Sequence, residues 1–541
     1  MKLKQIKFSA PTPAEPYYHA VVMVLDITGD TIVRGLLCND IRNLDFTVYN
    51  DDMPALPAVF RKNTDNHTLN IRLNWRKEDI FLIELELLDE NGQNITLHTL
   101  LEAKEENGYW NKNWKYYASH VLTETSGYNR VQEPVHVVLS MYEDRLLDTC
   151  RELRVVEINP DSGAAREIPS QVYSASARKK WNEIMHQPST TVQVAFMADV
   201  PANSRKVYLF FYGNPHAKAP CYPSDLTVSG EGYELCIENI FYTVHLHKDS
   251  GSINEIIPKN RPELTYRHQL ETNGTLQWNP GIYTPQKTWM HVSDRVWTED
   301  FTVITGPVFI MVKLFNPIAD YEEADYSLTY LFYSNTAGIT VKGNIDINKD
   351  LDVAALRNGS VVLNKETTGD FAWKDVDHTI KNVHITDLPR HPVKAMVFDA
   401  KTPWFAFYNR IRGNGLGVLN LEFTGLRRSG GLVGWEPYYY LHWGPWFDVS
   451  RSIIYTFTSS NHQRVVHMAA GTSFYEQYVL IPFEAGKGED EYDRFDALEY
   501  AYKLASEPLS KIAVKYDTDS QAPDVCVPPI LPVPPVAAFL Y

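Results

Sequence analysis

Cysteine is scarce and scattered. Cys38, Cys150, Cys221, Cys236 and Cys526 are odd in number, spread over 541 residues, and form no CxxC. That excludes a disulfide framework and a thiolate zinc site, and leaves buried thiols as the plain reading. Long apolar runs are missing, since no stretch reaches the roughly 20 residues of a membrane-crossing helix. The opening MKLKQIKFSAPTPAEPYYHA has charge but no apolar centre, so it is not read as a signal peptide. The expectation is a cytoplasmic protein as numbered, or a secreted or periplasmic one whose signal was removed. Excess positive charge is also absent: 51 Lys and Arg face 67 Asp and Glu, for a net charge of −16. Nucleic acid, whose phosphates need a basic footprint, is excluded as a partner. There is no HExxH, no Gly-rich phosphate loop, no GxSxG elbow and no repeat of fixed period.

Strand patterns are abundant. Aromatic residues make up 12% of the chain, with 32 Tyr and 12 Trp, rings that pair an apolar body with a polar handle. Short β-rich runs with period-two alternation recur at 19–27, 68–75, 79–89, 135–142, 152–159, 192–200 and 206–213. They predict a β-sandwich over 1–215, with one helix at 176–186. The Pro-rich stretch 216–228 reads as a linker. From 229 to 515 further runs (301–315, 326–333, 338–347, 393–400, 404–409, 417–423, 451–459) predict a larger all-β domain of about a dozen strands in two packed sheets. A helix is expected at 492–506, where Phe495, Leu498, Tyr502 and Ala505 share one face. The Pro-rich tail 516–541 is expected to be extended. The fold class is all-β with few short helices.

Composition shifts locally between Lys401 and Phe447. Five cations (Lys401, Arg410, Arg412, Arg427, Arg428) meet two acids (Glu422, Glu436), glycines punctuate the run, and aromatics crowd 435–447. Guanidinium forks grip carboxylates in bidentate fashion and flat rings stack on sugars, so the stretch is what an acidic glycan would need.

The segment GEGYELCIENIFYTVHLHKDSGSINEI (230–256), following ADVPANSRKVYLFFYGNP (198–215), resembles the opening strand pair of the galactose-mutarotase-like β-supersandwich. That scaffold occurs in the C-terminal parts of alpha-mannosidase-type glycosidases and in polysaccharide lyases. The resemblance implies a carbohydrate-active protein, and, with no stretch long enough for a helical toroid or a catalytic barrel, a lyase of exo type.

β-Elimination beside a uronate needs a group that neutralises the carboxylate, a base for the α-proton, and an acid for the leaving oxygen. Asn409, Arg410 and Arg412 are the candidates for the first task; the two arginines share parity if the strand stays extended. Tyr440 and His442, on one face of YYYLHWGPW (438–446), are candidates for base and acid, as are Tyr283 and His291 in NPGIYTPQKTWMHVSDRVW (279–297). Trp289, Trp404, Trp443 and Trp446 are candidate sugar-stacking rings, with Arg410 as a carboxylate clamp. Each has a plainer reading: surface ion pairs for the arginines, core packing for the rings, a hydrogen-bonded structural role for His291. A third cluster, Asn111, Trp114, Tyr116, Tyr117 and His120, reads equally as a site wall or as packing.

Two rival functions stay open: a glycoside hydrolase with paired carboxylates, for which Asp375, Asp377 and Glu436 are candidates, and a glycan-binding protein without turnover. Asp346, Asn348, Asp350 and Asp352 alternate like calcium-loop ligands, but the sixth-position Gly is missing and Arg357 stands where a Glu belongs. They read as a strand edge and turn, and no cofactor is expected. The partner class is an acidic polysaccharide or oligosaccharide, with no nucleic acid and no membrane; a homo-oligomer is left open.

Overall fold

The computed structural model describes residues 2–9, 18–26, 30–38, 41–42, 46–50, 53–54, 58–60, 68–74, 80–102, 110–111, 113–114, 116–142, 145–158, 165–178, 189–267, 281–287, 289–291, 294, 300–364, 367–387, 396–426, 438–443, 446–455, 465–485 and 495–513. The chain forms two compact units: Met1–Tyr222 together with Leu509–Tyr541, and Pro223–Pro508. Both are built of antiparallel strands, in line with the all-β expectation. No described helix is long and apolar enough to cross a membrane.

Among the described residues the first unit holds four sheets, where the sequence predicted one sandwich. Residues 2–102 supply two five-stranded sheets. A third sheet runs in the order Ala165–Ile168, Arg154–Ile158, Arg205–Tyr212, Tyr116–Thr123 and Ser510–Ala513; a fourth joins Arg130–Tyr142, Ser189–Val200 and Ser170–Arg178. The alternating Val135, Val137 and Leu139 meet Val192, Val194 and Phe196, and these pack with Tyr208 and Phe210 of the third sheet in one core. The strand Ser510–Ala513 belongs here by its pairing with Tyr116–Thr123, although its position in the sequence placed it in the second domain. Of the helix expected at 176–186, residues 176–178 finish a strand and 179–186 lie outside the described residues.

Glu124 locks the loops at one end of this core. Its carboxylate accepts from the backbone N–H groups of Ser126, Gly127 and Asn203 at 2.9, 3.0 and 2.8 Å, and from Arg130 at 3.4 Å. Burial alone would raise its pKa, but the convergent N–H donors override burial and lower it to about 2. A depressed carboxyl contributes stability above its ordinary value, and that contribution is lost as pH falls toward 2. Urea titrations between pH 6 and pH 3 should therefore show a progressive loss that is smaller in Glu124→Gln, with Glu124→Gln costing about 2–3 kcal/mol at pH 7.

The second unit centres on a nine-stranded sheet. Its order is Asp300–Ile304, Phe309–Ile318, Tyr321–Tyr333, Ile339–Ile347, Thr472–Phe483, Asn414–Leu426, Trp404–Asn409, Asp370–Lys374, Ile380–His384. A six-stranded sheet (Met290–His291, Gly281–Tyr283, Ala355–Asn364, Trp446–Tyr455, Tyr438–Trp443, Met396–Asp399) and a five-stranded sheet (within 227–267) share one apolar core with it. The run 301–315 is two strands rather than one, because Gly306-Pro307 breaks the ladder. The hairpin expected at Lys248–Gly251 is present: Gly251 takes φ +67° and its N–H bonds the His247 carbonyl at 2.8 Å. In the motif that carried the resemblance, buried Asn239 accepts from Phe241 and Tyr242 N–H and donates to the Tyr333 and Thr336 carbonyls. The C-terminal helix spans Asp496–Ser506, and Leu498, following Phe495, seats in a satellite core with Trp404, Tyr408 and Phe483. Residues 516–541 lie outside the described residues.

Candidate functional site

The turn after Trp404–Asn409 does not stay extended. Asn409 Oδ1 accepts from the N–H groups of Ile411 and Arg412 at 3.0 and 2.9 Å, and Gly413, at φ +69°, returns the chain into Asn414–Leu426. Asn409 is thus a turn-forming residue. Arg410 donates Nε to Asp370 Oδ1 at 2.7 Å, and its backbone N–H reaches the other oxygen. Its guanidinium is committed to a buried carboxylate of its own chain. The exposed Arg412 gives its carbonyl to Arg261 Nη1 at 2.7 Å. Trp404 is fully buried: its ring packs on Phe495 at 5.4 Å and its indole N–H donates to Glu499. It offers no face to a sugar, so the stacking role expected of it is withdrawn.

Tyr440 and His442 lie in the six-stranded sheet, opposite Ser450 and Asp448, whereas Arg410 and Arg412 belong to a turn of the nine-stranded sheet. The expected grouping of Arg410 and Arg412 with His442 turns on a side chain outside the described residues. The side chains of Tyr440, His442, Trp443 and Trp446 lie outside the described residues, as do Arg427, Arg428 and Glu436 altogether.

The second predicted wall does come together. Tyr283 stacks on Trp289 (centroids 6.1 Å apart, planes 25°), and the Arg357 guanidinium sits 4.5 Å from the Trp289 ring. The Trp289 indole N–H donates to His291 Nε2 at 2.8 Å. An indole nitrogen can only donate, so Nε2 is the acceptor and the ring proton is on Nδ1, which faces Asp294 at 3.5 Å. With its basic lone pair occupied and only 5% of its surface exposed, His291 is a positioned structural histidine. The part of base expected of it does not fit this geometry. The cluster around Trp114 is packing within the first unit: the Trp114 indole N–H bonds the Glu152 carbonyl, Tyr116 stacks on Tyr212, and buried Tyr117 and His120 pack on Phe211 and Phe210.

The sequence reading missed the solvent-facing side of the nine-stranded sheet. Along Ile339–Ile347 every odd residue is buried, and Thr340, Lys342, Asn344 and Asp346 lie on the other face, half-buried. Cross-strand register builds this face into rows. Thr329, Lys342, Gln477 and Glu422 form one; Ser327, Asn344, Tyr475 and Thr424 the next; Asp325, Asp346 and Ser473 a third. Ser473 donates to Asn344 Oδ1 at 3.0 Å and Tyr475 to Gln477 Oε1 at 3.0 Å. Partial burial pulls the Lys342 pKa below the usual lysine value, against the pull of the Glu422 carboxylate. Burial raises the Tyr475 phenol, with Glu422 and Glu476 adding to the shift.

The third row holds two aspartates directly opposite on neighbouring strands, Asp325 and Asp346. Like charges in that relation destabilise a sheet. Each carboxylate is met by an asparagine amide, Asn348 on Asp325 and Asn344 on Asp346. Beside them Glu323 pairs with Lys287 at 2.8 Å, whose ammonium also lies 4.7 Å from the Tyr321 ring, and Tyr321 OH accepts from Thr284 N–H. Lys287 and Thr284 flank the turn between Tyr283 and Trp289, and the Lys287–Glu323 ion pair ties that turn to the strand that carries Asp325. Asp350 and Asp352 instead take Ala470 N–H and His467, and Asp346 stays on its strand, so the alternating run is a strand edge and turn. Among the described residues no three His, Cys, Asp or Glu groups are arranged to hold a metal ion. Asp375 and Asp377 cap a hairpin through Val376 and Thr379.

No protein-family model and no curated protein matches the sequence. Among solved structures, a glycosyl hydrolase family 38 protein from Enterococcus faecalis aligns over 76% of this chain and 49% of its own (13% identity, TM-score 0.46). An alpha-mannosidase from E. faecalis V583 aligns over 76% and 47% (12% identity, TM-score 0.47). A galactose mutarotase-like protein from Lactobacillus casei aligns over 48% of this chain and all of its own (9% identity, TM-score 0.29). The chain thus spans about half the length of the two larger structures. With TM-scores below 0.5, none lends this chain an activity.

Proposed function

We propose that the protein is carbohydrate-active, and that it acts as a glycoside hydrolase through Asp325 and Asp346 rather than by β-elimination. The observation that carries this reading is the cross-strand aspartate pair on a polar, solvent-facing sheet. The Cβ atoms of opposed residues on neighbouring strands stand ~5 Å apart, which leaves two carboxyl groups able to reach the ~5–5.5 Å separation of retaining glycosidases. In such a reaction one carboxylate attacks the anomeric carbon while the other, protonated, gives its proton to the leaving oxygen. Water then releases the sugar as the second residue takes a proton back. The half-buried rings of Tyr283 and Trp289 supply apolar surface for a pyranose beside the pair. Elimination is disfavoured because Asn409, Arg410 and His291 are engaged in a turn, an ion pair and an indole hydrogen bond. Glu322, Glu323, Asp350 and Asp352 near the pair favour a neutral glycan over an acidic one.

The test is product analysis. Incubation with neutral aryl glycosides and oligosaccharides should release reducing sugar, with retention at the anomeric carbon seen by proton NMR and no ultraviolet absorbance of a 4,5-unsaturated uronate. Unsaturated product from an acidic glycan would restore the elimination mechanism. Glycan binding without any product would reduce the site to recognition.

A further inference from the structure

In the second unit, beside the Asn409–Gly413 turn, lies a cleft of about 330 Å³ whose lining includes neither Asp325 nor Asp346. Its walls are apolar: Phe241, Leu264, Pro482 and Phe483, with Phe241 40% exposed at a strand turn. Its polar groups are few and fixed. Asn414, 4% exposed, donates Nδ2 to Tyr266 OH at 3.1 Å, while its Oδ1 is buried with no hydrogen-bond partner. A buried acceptor left so is destabilising, and a ligand hydroxyl relieves it. The Tyr266 phenol, held protonated by burial that raises its pKa, can donate onward after accepting from Asn414.

The charge on the rim is balanced. Arg261 is bound to Glu263 at 3.3 Å and to the Arg412 carbonyl, and Glu484 accepts from Asn260 at 3.1 Å. An anion would meet a compensated arginine and the Glu484 carboxylate. What fits is a neutral ring with an apolar face and hydroxyls that both donate and accept. Such a ring sets its C–H face on the phenyl groups and its hydroxyls against Asn414 Oδ1, Tyr266 OH and Glu484.

We propose that this cleft is a binding site for a neutral pyranose, separate from the aspartate pair and sharing no residue with it. The inference rests on the chemistry of the cleft and not on hydrolysis, so it stands or falls independently of that reading.

The experiment uses the full chain and three probes: methyl glucopyranoside, methyl mannopyranoside and methyl glucuronide. Saturation-transfer NMR identifies binding, and calorimetry measures it. At least one neutral glycoside should bind more tightly than the glucuronide. Phe241→Ala removes a platform that is already part-exposed, and Ala337→Phe fills the cleft from its rim. Each should weaken binding by about tenfold or more, with far-ultraviolet circular dichroism unchanged in at least the first. The double variant Asp325→Asn/Asp346→Asn should keep the binding that Phe241→Ala weakens. No saturation transfer from either neutral glycoside, equal affinity in both cleft variants, preference for the glucuronide, or loss of binding only in the aspartate double variant would each overturn the proposal.

Discussion

Replacing Glu476 by alanine should lower the stability of the second unit by about 3–5 kcal/mol, the cost of stranding a buried charge. Arg451 comes from the six-stranded sheet and Glu476 from the nine-stranded one, each with its side chain 5% exposed, and Arg451 Nε donates to Glu476 Oε2 at 3.0 Å. Nη1 donates to the Ala400 carbonyl and Nη2 to Tyr439 OH, and the cation lies 4.6 Å from the Tyr439 ring and 4.8 Å from Phe423. Tyr439 OH donates to Asn420 Oδ1 at 2.6 Å, and burial raises its pKa so that it stays neutral. Truncation at Glu476 leaves this cation surrounded by rings and neutral dipoles. The melting temperature should fall by about 10 °C. Arg451→Met combined with Glu476→Leu should recover most of the loss, since an apolar pair in the same place has no desolvation cost. A double-mutant cycle by calorimetry reads the coupling; an additive result would mean that the pair does not act as a unit.

Asp325→Asn and Asp346→Asn should each lower kcat for a neutral aryl glycoside by about 10³-fold or more, with KM little changed. Asparagine keeps the shape and hydrogen-bonding reach of aspartate but neither attacks nor protonates. Both single variants should be at least as stable as the parent, because removing one of two opposed negative charges relieves repulsion. A gain in stability with loss of turnover marks a site rather than a structural acid. Azide should restore activity to one of the two variants, the nucleophile, and give a glycosyl azide of inverted configuration. Loss of turnover from Tyr283→Phe or Arg412→Ala with the aspartate variants active would transfer the chemistry back to the residues first expected to carry it.

Periodicity made strands legible, and failed where it depended on what ends a strand. The alternation of GITVKGNIDI (338–347) identified the strand, and its polar half is the solvent-facing row of Lys342, Asn344 and Asp346. That Asp346 faces Asp325 was not legible, because it depends on register between strands joined by a turn rather than on spacing. WFAFYN (404–409) has no polar alternation, which is what a strand buried on both sides looks like. Phe405 and Phe407 enter the main core, and Trp404 and Tyr408 the satellite core under the helix. Reading Trp404 as a sugar platform overlooked that signal. Trp289 and His291, two residues apart, come together through an indole hydrogen bond. Shared parity misled for Arg410 and Arg412, where Asn409 and Gly413, the residues that make the turn, were in plain view.

The strand Ser510–Ala513 closes the edge of a sheet whose neighbouring strand, Tyr116–Thr123, is synthesised far earlier. On the ribosome that edge waits, bare, while the entire intervening sandwich emerges. A fragment that stops at Tyr222 would keep it bare permanently, and unpaired edges invite other chains to add to them. Expression of the N-terminal piece alone should therefore be plagued by self-association, and a short peptide carrying Ser510–Ala513 should be the natural chaperone for it.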